Sequence, residues 1–306
     1  LGFDEKYGVK LVLEKQHSWS GMRDRLTSGE LDAAHALYGL LYGLQMGIGS
    51  SARDMAVLMN LNQNGQSIVL SRAIAAAGVN HSGELDLALK LVEAAAAGAD
   101  AVKFQTYTSA GHIVSRKAPL ADYMKQQGDW ADQNTLLESL RLEREEFATL
   151  YRACGELGID FISTPFDLEA LDYLTGLGMQ VLKLPSGEIT NRFLLQAAAR
   201  CALPMIMSTG MADTDEIAAA LDLLEATRPG ALTQTYILHC TSSYPTPLDD
   251  ANIRAMQGLG ERFNLPAGFS DHTLGMSATL AAVANGARII EKHVTLDPGM
   301  PGPDHA

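Results

Sequence analysis

Cysteine and positive charge are both scarce in this sequence, and each shortage excludes a class of protein. Cys154, Cys201 and Cys240 lie far apart and form no CxxC pair, which excludes a disulfide framework or thiolate metal site and is typical of a reducing cytoplasm. A net charge of −13 does not suit a surface for nucleic acid or anionic membranes. The chain has no run of about 18 apolar residues and no signal-peptide pattern. We therefore expect a cytoplasmic protein that binds neither nucleic acid nor membranes.

The chain does have ample apolar content, arranged in two regions of different character. Hydrophobic residues make up 47% and charged residues 19%, which is enough for a sizeable core. The character of the sequence changes near residues 66–73, and before this point the pattern is irregular. It predicts a helix at Ser20–Leu31, an apolar stretch at Leu37–Met46 and two short strands at Met55–Leu61 and Ser67–Leu70. We therefore divide the chain into an amino-terminal extension, residues 1–71, and a second domain, residues 72–306.

In the second domain, short apolar runs alternate with helical segments such as Glu84–Ala97, as in repeated βα units. The predicted strands are Ala73–Val79, Ala101–Gln105, Asp160–Ser163, Val181–Leu184, Met205–Ser208, Thr235–Cys240, Ala267–Ser270 and Ile289–His293. Eight such units predict an α/β fold of the (β/α)8 TIM-barrel type. An open doubly wound sheet would also alternate, but no GxGxxG turn is present.

Strand alternation predicts which side chains point into the barrel. Lys103, Lys183, His272 and His293 have the inward parity on four different strands, and Glu291 shares a face with His293. A single inward lysine could be a structural ion pair, and a lone strand histidine is usually a core residue. Four such groups at the carboxyl ends of strands favour an active site. Two lysines suit a multiply charged anion, and two histidines suit a divalent metal.

Other polar residues carry weaker signals. His239 has the outward parity, and Cys240 has no evident base partner, so both are interpreted as structural. His112, like His17 and His35, lies outside the predicted mouth. Ser208–Gly210 closes strand five and could donate hydrogen bonds to a phosphate, although Thr209 could equally cap a helix.

A series of motifs from Ile74 to His305 resembles the barrel of the sialic acid synthase family, which includes synthases of N-acetylneuraminate and related nonulosonates. The motifs are AGVNHSG (77–83), AVKFQTY (101–107), FISTPFD (161–167), KLPSGEIT (183–190), STGMA (208–212), HCTSSYPTP (239–247), GFSDHTLG (268–275), EKHVTLD (291–297) and MPGPDH (300–305). Their order and spacing make the resemblance specific. It implies the condensation of phosphoenolpyruvate with an N-acetylmannosamine-like amino-sugar aldehyde, giving a nonulosonic acid and phosphate, in a homodimer.

The resemblance also implies roles for individual residues. His272 and His293 match the metal ligands, usually for Mn2+, with Mg2+ or Co2+ as alternatives. Glu188 matches the carboxylate that handles the attacking water, and with Lys103 and His293 it forms the expected catalytic set. The expected substrate-binding residues are Lys103, Gln105, Thr164, Lys183, Ser186, Ser242, Tyr244, Ser270 and Asp304.

Three departures from the family pattern affect these expectations. Ala76 stands where the family's first strand usually carries an inward glutamate, and we expect weak activity for this reason. We also expect the chain to lack the eighth outer helix and the family's carboxy-terminal antifreeze-like domain. Residues 3–71 resemble instead a fragment of nitrate or bicarbonate solute-binding proteins of ABC transporters, through SWSGMRDRLTSGELDAAHALYGL (18–40) and MNLNQNGQSIVLS (59–71). The chain therefore reads as a chimera whose first segment has no binding activity of its own.

The sequence leaves three alternatives to a metal-dependent synthase. A pyruvate aldolase would use Lys183 as a Schiff-base nucleophile. An inactive chimera would keep only a phosphoenolpyruvate pocket. A solute-binding module would take nitrate or bicarbonate through the first 71 residues.

Overall fold

The computed structural model describes residues 72–115, 118–120, 122–125 and 130–305, so the predictions for residues 1–71 lie outside the described residues. Eight parallel strands form one sheet in the order β3-β2-β1-β8-β7-β6-β5-β4, and β3 and β4 contact each other to complete the ring. The strands are β1 (Arg72–Gly78), β2 (Ala101–Thr106), β3 (Asp160–Pro165), β4 (Leu182–Leu184), β5 (Met205–Ser208), β6 (Thr235–His239), β7 (Ala267–Asp271) and β8 (Ile289–His293). The predicted (β/α)8 barrel is confirmed.

Helices connect successive strands on the outside of the ring. They are α1 (Leu85–Ala96), α2 (Asp122–Lys125), α3 (Gln133–Ser139), α4 (Arg144–Leu157), α5 (Leu168–Leu177), α6 (Arg192–Arg200), α7 (Thr214–Thr227), α8 (Ile253–Phe263) and α9 (Ser277–Ala284). Side chains that accept backbone N–H groups begin four of them: Asp132 for α3, Asp167 for α5, Asn191 for α6 and Asp213 for α7. Such caps satisfy donors that a helix start leaves unpaired. Among the described residues, no helix is both long and apolar enough to cross a membrane.

The predicted strand limits are wrong by one or two residues at several ends. Val79 was expected in β1, but β1 stops at Gly78, whose φ of +53° turns the chain out of the sheet. Cys240 was expected in β6 and instead follows His239. The helix predicted over Glu84–Ala97 runs from Leu85 to Ala96. None of these differences changes which of the predicted lysine and histidine side chains face the cavity.

The interior of the barrel is apolar at its lower end and polar at its upper end. The lower layer is a cluster of inward side chains: Ile74, Ala101, Ile162, Ile206, Leu238 and Ile289, with Val181 and Tyr236 packed against them. A larger cluster, which includes Phe104, Phe147 and Leu171, fills the space between strands and helices. The lower layer closes the barrel, so polar residues one step further along each strand face a mouth at the carboxyl ends.

Candidate active site

A cavity of about 180 Å³ occupies this mouth. It takes side chains from β2, β3, β4, β5, β7 and β8, from the loops that follow β1, β3, β4, β6, β7 and β8, and from α2 and α3. Its polar lining consists of Lys103, Gln105, Thr164, Lys183, Ser186, Ser208, Tyr244, Ser270, His272, Glu291, His293 and Asp304. The two lysines and two histidines predicted to point inward are therefore brought together around one cavity, with His272 lying just after the end of β7.

Two lysines and one carboxylate form the floor of the cavity. Lys103 Nζ lies 2.9 Å from Glu291 Oε1, and Lys183 Nζ lies 3.5 Å from Glu291 Oε2. Lys183 also donates to Ser208 Oγ at 2.7 Å, and Ser270 Oγ donates to Glu291 Oε1 at 2.9 Å. All of these side chains are buried. Two positive charges against one negative charge leave a net positive floor, which favours an anion.

The pKa values of the floor follow from burial and close charges. The pKa of Lys183 is lowered to about 8, chiefly by burial; Lys103 adds to the lowering and Glu291 opposes it. Burial alone would raise the pKa of Glu291, but the two lysines override it and hold that pKa well below its usual range. Glu291 is therefore ionised at neutral pH, and the pKa of Lys183 lies close to neutrality.

Two imidazoles stand above the floor, with ring centroids 5.5 Å apart. His272 Nδ1 lies 2.8 Å from the Thr241 carbonyl oxygen, so Nδ1 carries the proton and Nε2 keeps a lone pair. Burial lowers the pKa of His272 to about 4, with His293 adding to the effect, and burial together with Lys103 lowers the pKa of His293 to about 3. Both imidazoles are thus neutral at pH 7. The Tyr244 ring packs 4.2 Å from His272 and 5.8 Å from His293.

The imidazoles partly fit a divalent metal. His293 Nδ1 is buried without a hydrogen-bond partner in the described part of the chain, and Asp304 Oδ2 lies 3.5 Å from it. Over residues 72–115, 118–120, 122–125 and 130–305, however, no group of three or more His, Cys, Asp or Glu side chains is arranged to hold a metal ion. The protein offers two nitrogen ligands and a nearby carboxylate, so a metal here would also need oxygen atoms of substrate or water.

Two expected site residues lie outside the cavity lining. Glu188 Oε2 accepts a hydrogen bond of 2.6 Å from Asn191 Nδ2, in the short 3-10 turn Ser186–Glu188 after β4. Ser242 is an exposed residue in the loop after β6. The roles that the resemblance implies for them stay predictions.

The polar residues that carried weaker sequence signals lie in structural positions or have no reactive partner. His239 Nε2 is 3.0 Å from the Ala251 carbonyl, and its ring stacks on Phe269 outside the barrel. His112 is exposed and contacts Thr108 and Asp167. Thr209 does not cap a helix; its hydroxyl donates to the Leu238 carbonyl. Cys240 lines the cavity, and burial raises the pKa of its thiol, so it is not a ready nucleophile.

Sequence reasoning assigned no role to Glu291 and did not single out Thr241. The signal for Glu291 was present, because its parity places it inward between two buried lysines that need a counter-charge. No sequence signal marks Thr241, since its backbone carbonyl makes the contact with His272.

Together, eight parallel strands arranged as a barrel and a buried cationic floor beneath two neutral imidazoles form a polar pocket at the end of the barrel where enzymes of this fold bind their substrates. Comparison with known proteins agrees with this class. The NeuB family model matches residues 91–306, and the chain belongs to this family.

Relatives with named activities share the same region. The N,N'-diacetyllegionaminic acid synthase of Legionella pneumophila is 46% identical over 235 residues, which cover 76% of this chain and 66% of that protein. The synthase of the same name from Campylobacter jejuni is 47% identical, covering 76% and 70%. The crystal structure of the sialic acid synthetase of Leptospira borgpetersenii, in complex with citrate, matches at 36% identity with a TM-score of 0.65, covering 77% of this chain and 76% of that one. This chain thus spans about two-thirds of the length of the curated relatives it matches.

A second family model, for the NMT1-like family, matches residues 1–115. Its range includes residues 3–71, where the sequence resembles solute-binding proteins, and it overlaps the NeuB match at residues 91–115. Two family likenesses therefore meet in one chain. The domain boundary between residues 71 and 72 stays a prediction.

Proposed function

We propose that this chain condenses phosphoenolpyruvate with an N-acetylmannosamine-like amino-sugar aldehyde, in a metal-dependent reaction that gives a nonulosonic acid and phosphate. The observation that carries the proposal is the Lys103–Glu291–Lys183 floor directly below two neutral imidazoles. The synthase relatives, which include a pseudaminic acid synthase at 34% identity, support the general class of reaction.

The floor is the proposed subsite for phosphoenolpyruvate. Lys183 and Lys103 together exceed the charge of Glu291, and a bound phosphate or carboxylate would neutralise the excess. Hydroxyl groups of the cavity lining can donate to the remaining oxygen atoms; they belong to Thr164, Ser186 and Ser208. The Ser270 hydroxyl already donates to Glu291. As phosphate leaves C2, the ammonium groups would stabilise the charge that builds on it.

The upper part of the cavity is the proposed subsite for the amino sugar. Gln105, Tyr244 and Asp304 line it and offer an amide, a hydroxyl and a carboxylate to sugar hydroxyl groups. His272 and His293 would hold the divalent metal, most simply Mn2+, which when bound polarises the aldehyde oxygen. The neutral state of both imidazoles keeps lone pairs available for that purpose.

The proposed bond changes balance. A C–C bond forms between the enol carbon and the aldehyde carbon at the expense of the enol double bond, and water adds to the electron-poor C2. One water proton passes through a base to the aldehyde oxygen. The C2–O bond to phosphate then breaks, C2 becomes a ketone, and the second water proton leaves with the phosphate. Glu188 is the proposed acceptor of the water proton. Asn191 holds one of its carboxylate oxygens, and the other is the atom we assign to this task.

The test is incubation with phosphoenolpyruvate, Mn2+ and N-acetylmannosamine, measuring phosphate release and nonulosonate formation. Lys183→Met should lose both products, whereas Glu156→Gln, on the exposed face of α4, should retain both. We expect slow turnover in the unaltered chain because Ala76 is buried between Lys103 and His293 in the strand register, where the family pattern supplies a carboxylate. An absence of product at every substrate concentration would refute the proposal.

One observation favours a pyruvate aldolase as second candidate. Burial lowers the pKa of Lys183 to about 8, as suits a Schiff-base nucleophile. Borohydride trapping with pyruvate discriminates the two reactions, because only the aldolase forms an imine. The three cysteines are free thiols, which supports a reducing compartment such as the cytoplasm for either enzyme.

A further inference from the structure

The loop that follows β1 keeps three consecutive side chains in costly positions. Asn80 Oδ1, His81 Nε2 and Ser82 Oγ are buried and have no hydrogen-bond partner within the described residues. Ser82 also has a φ of +52°, a conformation that is uncommon for residues other than glycine. Buried polar atoms without partners and strained backbone persist where the surroundings hold them in place, and they cluster at functional sites.

One side chain of this loop ties it to the segment after β8. Asn80 Nδ2 donates to the Val294 carbonyl at 2.9 Å and to the Asp304 carbonyl at 3.0 Å. Both acceptors are carbonyl oxygens, so the amide nitrogen, and not the amide oxygen, must face them. A single amide group thus joins the two ends of the segment 294–304, and its own residue is only 1% exposed.

The same end of β1 also accommodates the Asp304 carboxylate. A Cβ atom at Gly78 would lie 3.0 Å from Asp304 Oδ2 and 3.5 Å from His293 Cε1. The missing side chain at Gly78 therefore leaves room for the carboxylate beside the His293 ring. Asn80 holds the backbone of Asp304 while Gly78 admits its side chain, so the position of the carboxylate depends on the loop after β1.

We infer that Asn80 is a positioning residue that holds the Asp304 carboxylate at the acceptor end of the cavity. The inference rests on the proposed function, in which Asp304 contacts the amino sugar. Asn80 is absent from the cavity lining, so it would act through Asp304 and not by touching substrate.

The informative variant is Asn80→Asp, which keeps the shape of the side chain but places an oxygen against two carbonyl oxygens. Repulsion should release both contacts, and Asp304 should lose its fixed position. We expect the KM for N-acetylmannosamine to rise about tenfold or more. The Kd of phosphoenolpyruvate should change less than about twofold, because charge pairs of the floor dominate its binding. That unchanged Kd also reports that the barrel is folded.

The matched control is Thr235→Val at the opposite end of the barrel. Thr235 is also 1% exposed, and its hydroxyl donates to the Ala231 carbonyl at 3.0 Å. This change removes the same kind of buried bond without approaching the mouth, so the acceptor KM should stay unchanged. If Asn80→Asp does not fold, Asn80→Ser removes the double contact without adding charge.

Amide hydrogen exchange of residues 294–305 gives a readout that does not depend on turnover. Exchange should become faster in Asn80→Asp and stay unchanged in Thr235→Val. An unchanged acceptor KM together with unchanged exchange in Asn80→Asp would overturn the inference. If the unaltered chain makes no product, the proposed function fails, and the acceptor role of Asp304 fails with it. The exchange result alone then decides whether Asn80 holds the segment 294–304.

Discussion

Replacing Glu291 by glutamine should make phosphoenolpyruvate binding sensitive to pH in the neutral range. The carboxylate lies 2.9 Å from one buried ammonium group and 3.5 Å from the other. At an effective dielectric constant of about 20, each contact corresponds to about 5 kcal/mol of attraction. Removing the carboxylate leaves Lys103 and Lys183 to repel each other in a buried space, so one of them must lose its proton.

Lys183 is the lysine expected to lose it. Its pKa is already lowered to about 8, chiefly by burial, with Glu291 as the opposing influence. A pKa change of one corresponds to about 1.4 kcal/mol. Losing even a part of the attraction between Lys183 and Glu291 therefore lowers the pKa of Lys183 below neutral pH. At pH 8 the floor of Glu291→Gln then carries only the charge of Lys103, the same net charge as the unaltered floor, so the Kd of phosphoenolpyruvate should be similar in the two proteins. As the pH falls and Lys183 regains its proton, the variant floor reaches two positive charges, and Glu291→Gln should bind phosphoenolpyruvate increasingly more tightly than the unaltered protein.

Calorimetric titration with phosphoenolpyruvate between pH 6.5 and 8.5 measures this dependence. Above about pH 6.5 the phosphate is mostly in its doubly charged form, so the ligand contributes little to the slope. Glu156→Gln, which makes the same charge change on the exposed face of α4, should bind as the unaltered protein does. Parallel pH profiles for Glu291→Gln and the unaltered protein would refute the reasoning, because they would mean that Glu291 does not set the charge of the floor.

Three further predictions concern stability and metal binding. The folded state lowers the pKa of His81 and His272 to about 4 and that of His293 to about 3. Below pH 6.5 the unfolded chain therefore binds more protons than the folded chain. The free energy of unfolding, measured by urea denaturation, should fall by on the order of 3 kcal/mol for each histidine between pH 6.5 and pH 4. A free energy that does not change over this range would contradict the prediction. His293→Ala should lower Mn2+ affinity at least about tenfold and abolish Mn2+-dependent turnover, whereas unchanged affinity in direct titration would remove the metal assignment. Asp271→Asn should lower the free energy of unfolding, measured by urea denaturation, by about 3 kcal/mol. The reason is that it breaks the 3.0 Å ion pair between a buried carboxylate and Lys292. A loss below about 1 kcal/mol, which is the value of a surface ion pair, would contradict the prediction.

Periodicity predicted the barrel because its strands have two distinct faces. Outward residues such as Phe104 pack against helices, while inward residues of the lower layer, such as Ile74, fill the interior. Strand alternation also placed Lys103 and His293 on the inward face, and both line the cavity. Alternation is local, so it survives errors of one residue at strand ends, such as that at Val79.

Other features of the site depend on contacts between distant parts of the chain. The sequence does not show that the Thr241 carbonyl orients His272, or that Asn191 draws the Glu188 carboxylate to itself. Nor does it show that Asn80 reaches the segment after β8. Each of these contacts depends on where the loops lie once the barrel has closed, and loop paths have no periodic signal.

The sequence by itself determined the kind of fold, the family and the set of charged and imidazole groups that face inward. Hydrophobic alternation is encoded residue by residue, and the motifs follow one another along the chain. Only the tertiary structure decided which of these groups meet and what state they hold. Closure of the ring brings Glu291 between Lys103 and Lys183 and buries all three, and burial together with neighbouring charge sets the protonation of Glu291 and Lys183.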